Sequence, residues 1–296
     1  MLKVAIIGAG KVGTAIGYLL KKSGYSIAGI ASRTLDSARK ARTFIGEGVV
    51  TTDLKSVANN ASIIFITTSD GAIEEVCRKI ASEGGFRKGS VVFHMCGALP
   101  SSILNSAKRK GAYIASIHPL QSLADVKEAV KNLSNSYFCI EGDEEAARIA
   151  REIVKALGGK EIMLDVEKKP LYHAGAAVVS NFLVATIGFG IELYEAAGIR
   201  KKDSLKAMMP LIKGTVKNIE NIGIPDALTG PISRGDASIV ECHLKAISRE
   251  IPKFLSLYSE LGKYTVQIAV EKGTLKRNKA KKILSLFQKY QERLTI

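Results

Sequence analysis

Tryptophan is absent from the 296 residues, and the four cysteines, Cys77, Cys96, Cys139 and Cys242, are too far apart to form a CxxC pair. The first absence, with no aromatic cluster beside the basic residues, removes the base-stacking surface of a nucleic-acid binder. The second argues against a zinc site and a disulfide framework alike, so no metal is expected and a reducing compartment fits best. No secretory signal precedes the first strand pattern, because Met1-Leu2-Lys3 runs straight into it; the expected location is the cytoplasm. No basic arm gathers the formal charge of +15. Its densest stretch, Lys272 to Lys282, is broken by Leu275 and leads into an apolar-patterned segment, as a solvated helix start does. Charge spread in this way steers anionic cofactors and carboxylate substrates, and nucleic acid is not an expected partner.

What is present is ordinary globular composition, 46% hydrophobic and 24% charged, in a chain long enough for two domains. Up to about residue 165, short apolar runs alternate with helical or polar stretches: 2–7, 26–31, 63–67, 90–93, 113–117, 137–140 and 161–164. That alternation predicts βαβ units and a mostly parallel sheet. Glu167-Lys168-Lys169-Pro170 reads as a short charged connector, and beyond it only helices are expected, over 171–197, 204–222 with a break or kink at Pro210, 237–248, 252–271 and 278–294. Asp203 and Asp236 stand where N-caps are expected. The predicted architecture is an α/β domain over 1–165 followed by an all-α domain over 166–296. Ala174 to Ile191 carries no charge and is long enough to span a membrane. Its Ala, Gly, Ser180, Asn181 and Thr186, and its lack of aromatic anchors, favour a helix buried in a soluble core or dimer interface, so no membrane partner is expected.

Gly8-Ala9-Gly10-Lys11-Val12-Gly13 follows the first strand and opens a helix with Ala15, Ile16, Leu19 and Leu20 at helical spacing. In that context GxGxxG is a dinucleotide fingerprint, and the N-terminal domain reads as a Rossmann fold. Gly8 makes the turn, Gly10 admits the pyrophosphate and Gly13 permits close helix packing, with the anion on the helix N-terminus. Where an NAD enzyme places a carboxylate, at the end of the second strand, this chain has Ala31-Ser32-Arg33-Thr34. An Arg fork and two hydroxyls suit a 2′-phosphate, so the expected cofactor is NADP(H). Ligands on such sheets lie beyond the carboxyl ends of the strands, which makes Thr68, Ser69 and Gly97 candidates for the nicotinamide side.

Four stretches carry a resemblance covering essentially the whole chain: GAGKVG from Gly8, HPLQSL from His118, PLYHAGAAVVSNF from Pro170 and ALTGPISRGD from Ala227. The chain is similar to the two-domain reductases that include pyrroline-5-carboxylate reductase, deazaflavin-dependent NADP reductase and 6-phosphogluconate dehydrogenase-like enzymes. Within that group it looks closest to a family joining a Rossmann-like half to a helical domain of unassigned function. The resemblance implies a homodimer with the Leu171 helix at its centre, and places Thr229 to Asp236 near an active cleft. Some members carry a Lys four residues before an Asn on the central helix. Here Ala177 precedes Asn181, and His173, two turns before Asn181, takes over as candidate donor.

Hydride transfer to a carbonyl or imine needs a proton donor, and His is the side chain most readily tuned for it. Of His94, His118, His173 and His243, the leading catalytic candidates are His118 and His173, with Asn181 beside them. His94 is expected to contact cofactor, and His243 to be a core or interface residue. Arg234 is the expected partner of a substrate carboxylate, with Asp236 capping the next helix or holding Arg234, and Ser122 and Thr229 completing the substrate side. The expected activity is NADPH-dependent reduction of a small, carboxylate-bearing oxo or imino acid, 2-dehydropantoate first and pyrroline-5-carboxylate second, with a deazaflavin as the third alternative. The alternative is a non-catalytic NADP(H) sensor.

Overall fold

Strands that are apolar at nearly every position must be covered on both faces. In the computed structural model, which describes residues 2–292, they form one eight-stranded sheet: β1 Lys3–Ile7, β2 Ser26–Ala31, β3 Val49–Thr51, β4 Ile63–Ile66, β5 Val91–His94, β6 Tyr113–Pro119, β7 Tyr137–Gly142 and β8 Lys160–Met163. The order is β3-β2-β1-β4-β5-β6-β7-β8. Strands β3 to β6 in that order are parallel, β7 is antiparallel to β6, and β8 runs parallel to β7. The chain leaves β1 toward opposite sides of the sheet, and the crevice at this reversal is where a dinucleotide sits in such folds. Each face has its own core, one around Ile6, Leu20, Phe65, Phe93 and Phe138, the other around Ile7, Ile64, Ile66, Ile80 and Leu104.

Two details were not expected. The three-residue β3 escapes a pattern reading because it is too short to show a period. Strand β6 runs on to Pro119, which puts His118 inside the strand. Beyond Ser116 the β5 ladder has ended and only β7 pairs with β6, opposite Cys139 and Phe138, so a proline is tolerated there.

The helical run after β8 begins with a 3₁₀ turn at Val166–Lys168 and continues as Lys169–Ala177, a π-helical turn Val178–Phe182 and Leu183–Ala196. The expected charged connector is exposed at Glu167 and Lys168 but not at Lys169. Pro170 occupies the first turn of the helix, where its missing N–H is harmless, and the Lys169 side chain is fully buried. The chain forms two compact units, Met1–Asn181 and Phe182–Ile296. The sheet therefore ends near the expected position, but the first turns of the helical run belong with the sheet.

The second unit is helical throughout its described residues: Leu183–Ala196, Lys201–Ile222, Pro231–Arg234, Ala237–Glu250, Leu255–Glu271 and Arg277–Glu292. The expected end of the last helix at Leu294 lies outside the described residues. Its core gathers Val240, Leu244, Leu255, Val266, Ile283 and Phe287. The helix Lys201–Ile222 passes through Pro210 without ending, which rules out the break of the two alternatives, break or kink. Asp203 is no cap, since the helix starts two residues earlier with Arg200 as its cap residue, and Asp203 accepts from Arg200 Nε at 2.7 Å. Asp236 sits at a cap position but makes no side-chain cap bond.

The expectation that Ala174 to Ile191 is buried does not hold within the single chain, where Phe189 is its one buried residue. Phe189 stacks on Phe254 with ring centroids 4.8 Å apart, and the unit's core is built from the later helices instead. Val166–Ala196 is long and apolar enough to cross a membrane, with a mean hydropathy of 1.8.

Candidate active site

The glycine cradle at the end of β1 is shaped by what a side chain would meet. Gly8 has φ +109°, and a Cβ there would stand 2.6 Å from the Thr67 carbonyl carbon. A Cβ on Gly13 would lie 2.1 Å from the Gly8 oxygen, so the helix comes as close to the turn as backbone allows. At Gly10 nothing lies within 4 Å, leaving the side from which a pyrophosphate would approach open. The helix Lys11–Lys22 has no side-chain cap, and its first amides are free for an anion. Lys11 is exposed at this end, whereas Val12 packs against the core.

The neighbouring turns supply polar groups. Thr67 donates to the Gly8 carbonyl at 2.7 Å, tying the end of β4 to the cradle. Next to it, the buried Thr68 hydroxyl has no hydrogen-bond partner among the described residues. An orphaned hydroxyl beside an open glycine turn fits a site built for a polar ligand. Ser69 is exposed. At the end of β2, Arg33 is exposed and Ser32 half-buried, but the Thr34 hydroxyl is engaged as the cap of the helix Leu35–Ile45, bonded to the Ser37 amide and hydroxyl. Of the two hydroxyls expected to greet a 2′-phosphate, only that of Ser32 is uncommitted.

Further along the same strand ends, His118, His173 and Gly97 come together. The His118 and His173 ring centroids are 5.9 Å apart, and a Cβ on Gly97 would fall 2.6 to 2.7 Å from both rings. Gly97 is thus the gap that accommodates the two imidazoles. Tyr172, which sequence reasoning passed over, meets His118 Nδ1 through its hydroxyl at 3.0 Å. Burial, reinforced by His173 and Lys169 and opposed by Asp70, holds His118 down at about 4, so it is neutral at physiological pH. Burial likewise raises the Tyr172 phenol above its ordinary value and keeps it un-ionised.

Beneath this cluster lies a closed polar network. Lys169 Nζ donates to Ser116 Oγ at 2.6 Å and to Glu141 Oε1 at 2.8 Å. Glu141 also accepts from the Ser101 amide and hydroxyl, each at 2.7 Å, and Ser116 donates to the Cys96 carbonyl. His94 is fully buried, with Nδ1 accepting from the Cys96 amide and Nε2 facing the Pro100 carbonyl, and burial, with Lys169 nearby, lowers it to about 3. Both its nitrogens are committed to backbone, so His94 is a structural residue and not the cofactor contact expected. Polar Ser116 and His118 on an otherwise apolar strand were the available signal for this network.

The remaining candidates are placed as follows. Asn181 is exposed and lies in the π-helical turn, whose extra residue per turn shifts it from the face on which uniform α-helical spacing would align it with His173. Ser122 is exposed in the loop after β6, where its amide donates to the Gln121 side chain. In the second unit, Thr229 and Arg234 are exposed, and Arg234 Nε donates to Asp236 at 2.9 Å, so Asp236 holds Arg234. His243 pairs with the Tyr258 hydroxyl at 2.7 Å. Among the described residues no group of His, Cys, Asp and Glu could hold a metal ion.

Residues 1–119 match a Rossmann-like domain, and residues 136–265 match DUF2520, a domain of unknown function. No curated protein matches the chain. Among solved structures, protein TM1727 from Thermotoga maritima is 27% identical, over 91% of this chain and 99% of that one, with a TM-score of 0.73. A Bacteroides fragilis protein provisionally assigned as an NADP oxidoreductase is 24% identical, over 90% and 98%, also at 0.73. A pyrroline-5-carboxylate reductase from Coxiella burnetii shares 15% identity over 91% and 98%, at 0.58. The chain thus matches a Rossmann-like domain over its first six strands and DUF2520 from β7 into the helical unit.

Proposed function

We propose that this chain is an oxidoreductase that binds NADP(H) and reduces the carbonyl or imine carbon of a small oxo or imino acid. The observation that carries the reading is the convergence of His118 and His173 on Gly97, with Tyr172 on His118, beyond the strand ends of the same sheet that holds the open glycine cradle. The names of the fold neighbours, an NADP oxidoreductase and a pyrroline-5-carboxylate reductase among them, agree with it. Gly8, Gly10, Gly13 and the first amides of the helix Lys11–Lys22 would hold the pyrophosphate, Thr68 and Ser69 the nicotinamide side, and Ser32 and Arg33 the 2′-phosphate. When bound, the cofactor supplies the hydride.

The chain's own groups then manage the substrate and the proton. A neutral His118 cannot deliver a proton as an imidazolium, but an N–H aimed at the substrate oxygen or nitrogen polarises it, as preorganised donors do. His173, one helical position beyond Tyr172, is assigned the proton transfer. Ser122 is assigned to the substrate side in the first unit; in the second, Arg234 and Thr229 are assigned to carboxylate binding. The first substrate to test is 2-dehydropantoate, the second pyrroline-5-carboxylate. We also propose a homodimer, in which a second copy covers the open apolar side of Ala174 to Ile191, and a cytoplasmic setting, in keeping with four free cysteines.

The test is NADPH oxidation against a panel of small oxo and imino acids, together with cofactor affinity by calorimetry. Arg33→Ala should weaken NADPH on the order of 10- to 100-fold by removing a charge-assisted contact and leave NADH nearly unchanged. Equal weakening of both cofactors would reassign Arg33 to the fold, and a wild type that prefers NADH would overturn the NADP assignment. NADPH binding without turnover on any substrate would favour a sensor.

A further inference from the structure

Ser116 and His118 are two apart on β6 and so face the same side of the sheet, about 6.6 Å from one another along the strand. On the helix above, Lys169 precedes Tyr172 and His173 by three and four residues, one turn or about 5.4 Å. The two spacings match, and the contacts follow them: Lys169 lies on Ser116 and Glu141, and Tyr172 lies on His118. Glu141 stands directly opposite Ser116 in the β6–β7 ladder, so both Lys169 partners come from one cross-strand pair. An ammonium that is 0% exposed, paired with a carboxylate that is 5% exposed, costs heavily in desolvation and suits a place where position matters.

We propose that the buried Lys169–Glu141 pair is a positioning device that locks the first helical turn in register with β6, so that Tyr172 holds His118 Nδ1 and leaves Nε2 carrying the proton toward the reacting atom. The Tyr172 hydroxyl has no other acceptor among the described residues, so donating to Nδ1 is the arrangement that gives its hydrogen a protein partner. His118 Nε2 makes no hydrogen bond to any described residue and faces the Gly97 gap. The same lysine acts electrostatically. The groups facing His118 are Lys169, Tyr172 and His173 from the helix, Asp70 from the turn after β4, His94 from β5 and Cys139 opposite it on β7. Lys169 and His173 oppose protonation and Asp70 favours it, so removing the lysine charge should make His118 easier to protonate. Neither Lys169 nor Glu141 reaches the substrate; both act through His118.

The inference rests on the reading that His118 faces the reacting atom, but its test needs no substrate. Imidazole ¹⁵N NMR of the full chain, assigned with single His→Gln variants, follows the tautomer and titration of His118. The comparison is between wild type and the double variant K169M/E141Q, which removes both charges and nearly keeps the volume. Wild type should show a bare Nδ1 and a protonated Nε2, neutral down to about pH 4. In the double variant the midpoint should rise and the Nδ1–H form should become populated. A folded double variant with unchanged midpoint and tautomer overturns the proposal. Should that variant not fold, Ser116→Ala removes one Lys169 contact and no charge; a mixed tautomer is expected, and an unchanged one overturns the proposal equally. If instead His118→Ala retains full turnover, the enzymatic role of His118 fails while these NMR outcomes stand.

Discussion

Lys169 is wholly buried, whereas Val179, ten residues further along the same helical run, is 71% exposed. The inversion of the usual preference shows what governs each region. In the first unit, polar groups go inside because each finds partners: the lysine has two, its glutamate three, and His94 uses both ring nitrogens. On the helical run beyond Lys169, valine, leucine and phenylalanine stay outside because they find no cover among the described residues. Leu171, Phe182 and Val184 share that exposure on the run, and Leu211 and Ile222 on the helix Lys201–Ile222. Pairing decides one region and coverage the other.

The sharpest way to break this contrast is to orphan one charge. Lys169→Met alone leaves Glu141 buried without its cation and should cost about 3 to 5 kcal/mol in urea unfolding, while K169M/E141Q should recover most of that loss. Equal losses in the single and double variants would mean that packing, not pairing, holds the region together.

A smaller effect comes from acid. The folded-state value of His94, about 3, lies below the ordinary imidazole value near 6.5, so the unfolded chain binds the extra proton first. Its contribution to stability is full above pH 6.5 and is lost as the pH falls from there toward 3, at about 1.4 kcal/mol per pH unit. His118 adds to the slope down to about 4. His94→Gln should flatten a plot of unfolding midpoint against pH across that window. An unchanged slope would assign the acid sensitivity to other groups.

The smallest expected change to the fold is Val179→Glu, within about 0.5 kcal/mol for a single chain because the side chain is already in solvent. If a second copy covers this face, the same substitution should shift light scattering toward monomer. A large loss of single-chain stability would instead mean that the valine is covered from within the chain.

The βαβ order, the glycine cradle and the all-helical second half were legible because periodicity and GxGxxG are local signals. His118 was expected just past the end of its strand, whereas β6 carries it two residues from Ser116, a spacing on an apolar strand that could have flagged the pair. Lys169 was not legible, because Glu-Lys-Lys-Pro looks like any solvated connector, and nothing near it announces a glutamate 28 positions earlier in the chain. Thr34 was misread as free for ligand because a hydroxyl before a helix serves equally as cap. The exposure of Ala174 to Ile191 was beyond reach for a different reason: an apolar helix looks the same whether its cover comes from its own chain or from outside.

The π-helical turn Val178–Phe182 acts on this helical run as an offset in a shaft. Its bonds skip one residue more than those of an α-helix, so everything after it is turned by about one residue's step, roughly 100°, from where a uniform helix would aim it. The histidine end and the apolar end are therefore keyed separately: a substitution in one leaves the phase of the other untouched, and deleting a single residue here would swing the whole downstream face around the axis while leaving Lys169, Tyr172 and His173 where they are.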